Sequence, residues 1–150
     1  MVGFAENIVS ISNKLYEHSN VWIEIHNDAN LRIPGFSLID KDLYGRYKPM
    51  IIINSELIPN DENIIAHILA HEWGHHVLQH IEHCPPPPEK MPNSETRQLK
   101  ENEADAYAAD FVAKYKYDKD AIINFFREHP HDLENRIKIL NATFSEDAEE

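Results

Sequence analysis

Phe4, Ile8, Ile11 and Leu15 recur at helical spacing with Glu6, Asn7, Asn13 and Lys14 between them, so residues 3–18 read as an amphipathic helix. Residues 21–25, Val-Trp-Ile-Glu-Ile, are β-rich and stop at the turn-prone Asn27-Asp28-Ala29-Asn30; residues 36–39 follow Pro34-Gly35 as a second short strand. The run 47–54, with Met50-Ile51-Ile52-Ile53 at its centre, predicts a third strand, which makes a small sheet of about three strands. Pro59-Asn60-Asp61 supplies helix-start chemistry, and Ile64, Ile65, Ile68, Leu69, Val77, Leu78 and Ile81 extend a helix to about His83. Cys84 and four consecutive prolines end it, so residues 84–95 read as an exposed loop. From Glu95 the positions Leu99, Ala104, Ala108, Phe111, Val112 and Tyr115 mark another helix. Asp118 caps a further one carrying Ile122, Ile123, Phe125 and Phe126, and His129-Pro130 breaks it. Asp132 caps the last, with Leu133, Ile137 and Leu140, and residues 145–150 form an acidic tail expected to be disordered. The fold class expected is α+β, mainly helical, in one domain spanning 1–150.

Charge narrows the partners. Lys and Arg total 14 against 26 Asp and Glu, a formal charge of −12, which argues against sequence-independent nucleic-acid binding and against docking on anionic lipid. No apolar run has the length of a membrane span, no secretory signal is visible, and a single cysteine fits a reducing compartment, so the expected location is the cytoplasm. Composition leaves one oddity, the 10 histidines.

Those histidines include His71-Glu72-Trp73-Gly74-His75, an H-E-x-x-H pattern inside the helix expected after Asp61. Residues four apart share a helical face, so His71 and His75 present two imidazoles to one zinc ion, while Glu72, one step round, reaches a metal-bound water as general base. A catalytic zinc needs a third protein ligand and an open position. In Glu101-Asn102-Glu103-Ala104-Asp105 of the next helix, Glu101 and Asp105 lie on the face of Ala104, Ala108 and Val112, whereas Glu103 points away from Glu101 to solvent. Glu101 is therefore the expected third ligand, and Asp105 the acceptor for the second ring N–H of a ligand histidine.

A helix with H-E-x-x-H followed downstream by a helix with E-x-x-x-D resembles the gluzincin zinc metallopeptidases. A strand just before the first helix, Ala106-Tyr107-Ala108 after Asp105, and His129-Pro130…Arg136-Ile137…Leu140 resemble the HtpX and CAAX prenyl endopeptidase group, in a minimal soluble, minigluzincin-like form. The resemblance implies a zincin-like fold, one Zn2+ per chain on His71, His75 and Glu101, and hydrolysis of peptide bonds in a peptide or protein substrate with Glu72 as base. It further implies a transition-state role for His129 and Arg136. In such relatives an edge strand ahead of the zinc helix aligns the substrate, which here assigns substrate binding to Ile52, Ile53 and Asn54. Phage-repressor-cleaving peptidases share the helix pair, so a latent regulatory peptidase is an alternative, with Cys84 or the acidic tail at the open metal position. A zinc-stabilised binding module without turnover is another. The metzincin pattern needs glycine at 78 and histidine at 81, where this chain has Leu78 and Ile81.

The remaining signals have plainer readings. His67 lacks a following Glu and is expected at the surface or behind the ligands; His76 and His80 read as solvated helix-end residues; Trp22 and Trp73 read as core.

Overall fold

The computed structural model describes residues 2–81 and 94–149, with side chains as far as Ser145. The tetraproline segment, His83 and Cys84 lie outside the described residues. Helix α1 (Phe4–Ser19) matches its periodicity and buries Ile11 and Leu15. Asn20 then adopts a left-handed conformation, φ 60°, and its N–H closes on the Tyr16 carbonyl, which turns the chain into the sheet. Strand β1 (Glu24–Asn27) begins later than its β-rich residues suggest: Ile23 is buried, but Trp22 is 53% exposed rather than core.

Strands β2 (Gly35–Lys41) and β3 (Tyr47–Ile53) form an antiparallel hairpin, with Phe36 opposite Ile52. β1 pairs with β3 in parallel, Ile25 opposite Ile51, so the sheet order is β1-β3-β2. The strand richest in isoleucine is thus central, with both edges bonded, as suits a run that buries Ile51 and Ile53 completely or nearly so. Among the described residues β2 is an edge strand.

Helix α2 (Glu62–Val77) starts at Asp61, whose carboxylate accepts the Asn63 N–H, as expected from the Pro-Asn-Asp signal. It is buried on almost every side, by Ile64, Ile65, Ala66, Leu69, Ala70 and Trp73, and is the central helix of the molecule. It stops at Val77 and not near His83. Leu78 caps it, and Gln79 enters the left-handed region at φ 60° without being glycine. Helix α3 (Ser94–Lys114) crosses α2 with its small-residue face, Ala104, Ala108 and Ala109, and Val112 inward. Helix α4 (Lys119–Glu128), capped by Asp118, buries Ile122, Ile123, Phe125 and Phe126. Helix α5 (Leu133–Glu149) packs Leu140 into the same core and continues through the acidic residues expected to be disordered. Charge alone does not end a helix of good helix formers such as Glu and Ala.

The α2–α3 contact is tight at Gly74: a Cβ there would stand 3.0 Å from Cβ, Cγ and Cδ1 of Tyr107. That is tighter than most packed side chains show, so a side chain here would require Tyr107 to give way, and the glycine inside the H-E-x-x-H pattern permits the close helix approach. Gly74→Ala gains helix propensity worth up to about 1 kcal/mol but must push Tyr107 aside at about 1–3 kcal/mol. The expected result is a net loss of stability of about 1–2 kcal/mol, read as a lower denaturation midpoint with unchanged slope.

Candidate metal centre

His71 and His75, one turn apart on α2, bring their Nε2 atoms to 3.2 Å. Glu101, reaching across from α3, straddles the pair: Oε2 lies 3.1 Å from His71 Nε2 and Oε1 lies 3.2 Å from His75 Nε2. With one donor atom from each residue, the three fall within 4.8 Å of one another, and among the described residues no other group of three His, Cys, Asp or Glu does so. Ligands around a tetrahedral zinc at about 2.0–2.1 Å stand about 3.3 Å apart, close to these contacts. Two imidazole nitrogens and a carboxylate oxygen are also the donor set of a zinc site that keeps one position open. The residues therefore fit the ion on spacing and on chemistry.

The helical-phase argument places the carboxylates as expected. Asp105, one turn after Glu101, is buried and accepts the Nδ1–H of His71 at 2.8 Å. That bond assigns the proton to Nδ1 and points the Nε2 lone pair at the shared position. Arg136 of α5 grips Asp105 from behind, with Nε donating to Oδ2 at 3.1 Å and Nη2 to Oδ1 at 3.3 Å, and stacks over Phe126. Glu103 is exposed.

Electrostatics follow the contacts. Burial alone would lower the His71 pKa, but the bonds to Asp105 and Glu101 and the Glu72 charge outweigh it and raise it to about 10. The bonds from His71 and His75 hold Glu101 far below the ordinary carboxylate range. Burial opposes ionisation of Asp105, yet the His71 bond and the Arg136 charge bring it down to about 2. A cation at this position thus takes the place of the proton that the two ionised carboxylates stabilise on His71.

Glu72 opens on a cleft of about 260 Å³ beside His71 and Glu101. The Ser37 hydroxyl on β2 lies 2.8 Å from Glu72 Oε1 and 2.9 Å from the Glu72 backbone oxygen, tying the carboxylate to the sheet. The same strand comes so near that a Cβ on Gly35 would stand 3.3 Å from Glu72 Cγ. Ser37 was not singled out by sequence; its signal is a small polar residue between Phe36 and Leu38, buried where a strand facing a helix would normally carry an apolar one.

Several expected site residues are placed differently. Ile52, Ile53 and Asn54 do not form a cleft edge. β3 is bonded on both sides, Ile53 is buried, and Asn54 Nδ2 donates to the carbonyls of Ala29 and Leu31 at 3.2 and 2.8 Å, so its side chain anchors a loop. The strand next to Glu72 is β2, because the hairpin folds back outside β3. His129 caps α4, donating Nδ1–H to the Phe125 carbonyl at 3.1 Å with its ring over Phe125, while His131, beyond Pro130, lines the cleft. Arg136 also lines the cleft, but its guanidinium is bonded to Asp105.

His67 is buried, not superficial. Its ring packs on Phe126 at 4.9 Å, and burial, reinforced by the nearby Arg136 charge, lowers its pKa to about 3. His76 and His80 are not a solvated pair either: His76 Nε2 donates to the Met50 carbonyl at 2.8 Å, and His80 turns back to His75.

No family model, curated protein or solved structure matches this chain. Among the described residues no helix is long and apolar enough to cross a membrane.

Proposed function

We propose that the chain is a zinc-dependent metalloendopeptidase of gluzincin type, with a zincin-like core formed by α2, α3 and the sheet. The observation that carries the reading is the position of Glu101, against both imidazoles of the H-E-x-x-H helix, while Asp105 one turn later holds the far nitrogen of His71. His71, His75 and Glu101 hold the metal. When bound, zinc lowers the pKa of water and polarises the scissile carbonyl.

The chain's own residues do the rest. Glu72, steadied by Ser37 on one oxygen, takes a proton from the attacking water and returns it to the leaving amine. Asp105 and Arg136 keep the His71 ring from rotating. The edge of β2 left unpaired among the described residues offers backbone groups to an extended peptide laid beside Glu72, the arrangement expected earlier of β3. His131 takes the oxyanion-side role that the resemblance assigned to His129, since of the two it is the one on the cleft.

Metal analysis of the purified chain, beside a peptide-library digest with and without chelator, tests the proposal. One zinc per chain and chelator-sensitive cleavage are expected. Zinc without cleavage by any preparation would favour a binding module, and no zinc would overturn the reading altogether.

A further inference from the structure

The two ligand histidines are braced by different chemistry. His71 has a buried carboxylate behind it, whereas the atom behind His75 is another imidazole nitrogen, Nδ1 of His80, at 2.9 Å. We propose that His80 is the positioning residue for His75, an inference that rests on the metal reading above.

Local backbone geometry brings His80 there. After α2 ends, Gln79 adopts φ 60°, and the His80 N–H bonds back to the His75 carbonyl at 2.8 Å, a helix-closing turn in which glycine is the usual residue. A left-handed residue with a Cβ is sterically strained. Here the turn swings the His80 side chain under the His75 ring, where it is 7% exposed.

Proton bookkeeping then defines the direction of the bond. On its other side His80 Nε2 faces the Glu103 carboxylate at 3.7 Å. A ligand imidazole keeps its Nε2 lone pair for the metal, so His75 carries its hydrogen on Nδ1; the His80 hydrogen is then on Nε2, toward Glu103, and His80 Nδ1 must be the acceptor. His75 Nδ1–H donates to it, which leaves His75 Nε2 with a lone pair aimed at His71 and Glu101. His80 does for the second imidazole what Asp105 does for the first, with the exposed Glu103 carboxylate facing its far nitrogen at 3.7 Å.

The test compares His80→Phe, which keeps a ring but no acceptor, with His80→Gln, which keeps an acceptor and a donor. Zinc affinity is read by chelator competition, and the imidazole N–H signals of the zinc form by NMR. In His80→Phe the zinc Kd should rise roughly 10–100-fold, and the His75 Nδ1–H signal should broaden by exchange with water while that of His71 persists. His80→Gln should restore affinity to within about threefold of wild type. If the aromatic ring prevents folding, His80→Leu serves as the variant without an acceptor. An affinity within threefold of wild type together with an unaltered His75 Nδ1–H signal, in a folded variant without acceptor, would overturn the role of His80 alone. A wild-type chain that takes up no zinc would overturn the metal reading beneath it.

Discussion

Glu72→Gln is expected to abolish nearly all peptide hydrolysis while leaving fold and metal intact. Glutamine has the same shape, and its side-chain oxygen still accepts the Ser37 hydroxyl, so β2 stays tied to α2. It has no basicity, and proton transfer by a positioned carboxylate is worth roughly 10²–10⁴-fold in rate. The kcat/KM on a quenched peptide should fall by at least that factor, with zinc content and denaturation midpoint near wild type. Turnover close to wild type would eliminate Glu72 as base and with it the water-activation mechanism.

The second large effect belongs to Glu101. Of the two glutamates two residues apart on α3, one reaches both imidazoles, and the other stands beyond His80. Glu101→Ala removes an anionic donor and leaves two neutral imidazoles, so most of the zinc should be lost on dialysis against a weak chelator. The loss should exceed the 10–100-fold typical of a supporting partner. Glu103→Ala should retain the metal, with at most a modest loss through His80. Equal depletion of the two variants would mean that the ligand carboxylate is misassigned.

Both predictions stem from local spacing. At 100° per residue, Glu101 and Asp105 share a face that excludes Glu103, and a four-residue step sets His71 beside His75; no tertiary knowledge is needed for either. Two helix starts were equally legible, because Asp61 and Asp118 act on the next few amides of their own chain, whereas Asp132, expected to cap α5, sits in the left-handed region at φ 55° with its carboxylate on the Gln98 and Asn135 side chains. What sequence could not supply is non-local. The order β1-β3-β2 depends on a hairpin folding outside a strand that is nearer to α2 along the chain, so the cleft edge fell to β2 and to Ser37. Which histidine next to Pro130 faces the cleft depends on how α4 and α5 dock. The end of α2 was hidden for a local reason: its left-handed residue is Gln79, and a glutamine does not advertise a turn. Of the two places the sequence left open for His67, the surface is the one excluded, since on a helix buried on almost every side it lies inside, beside Arg136 and Asp105.

Gly74 has a consequence for how the centre is loaded. The helices that carry the three donors touch at Gly74 and Tyr107 and bury small residues, Ala70 on α2 and Ala104 and Ala108 on α3. On the proposed metal reading, ion capture is expected to add a rivet to a joint that packing also holds, unlike a zinc finger, whose chain condenses only around its metal. The expected result is that a chelator-stripped chain keeps its helical circular dichroism and then takes up cobalt as a visible reporter; loss of the helical signal on stripping would show that the packed helices depend on the ion.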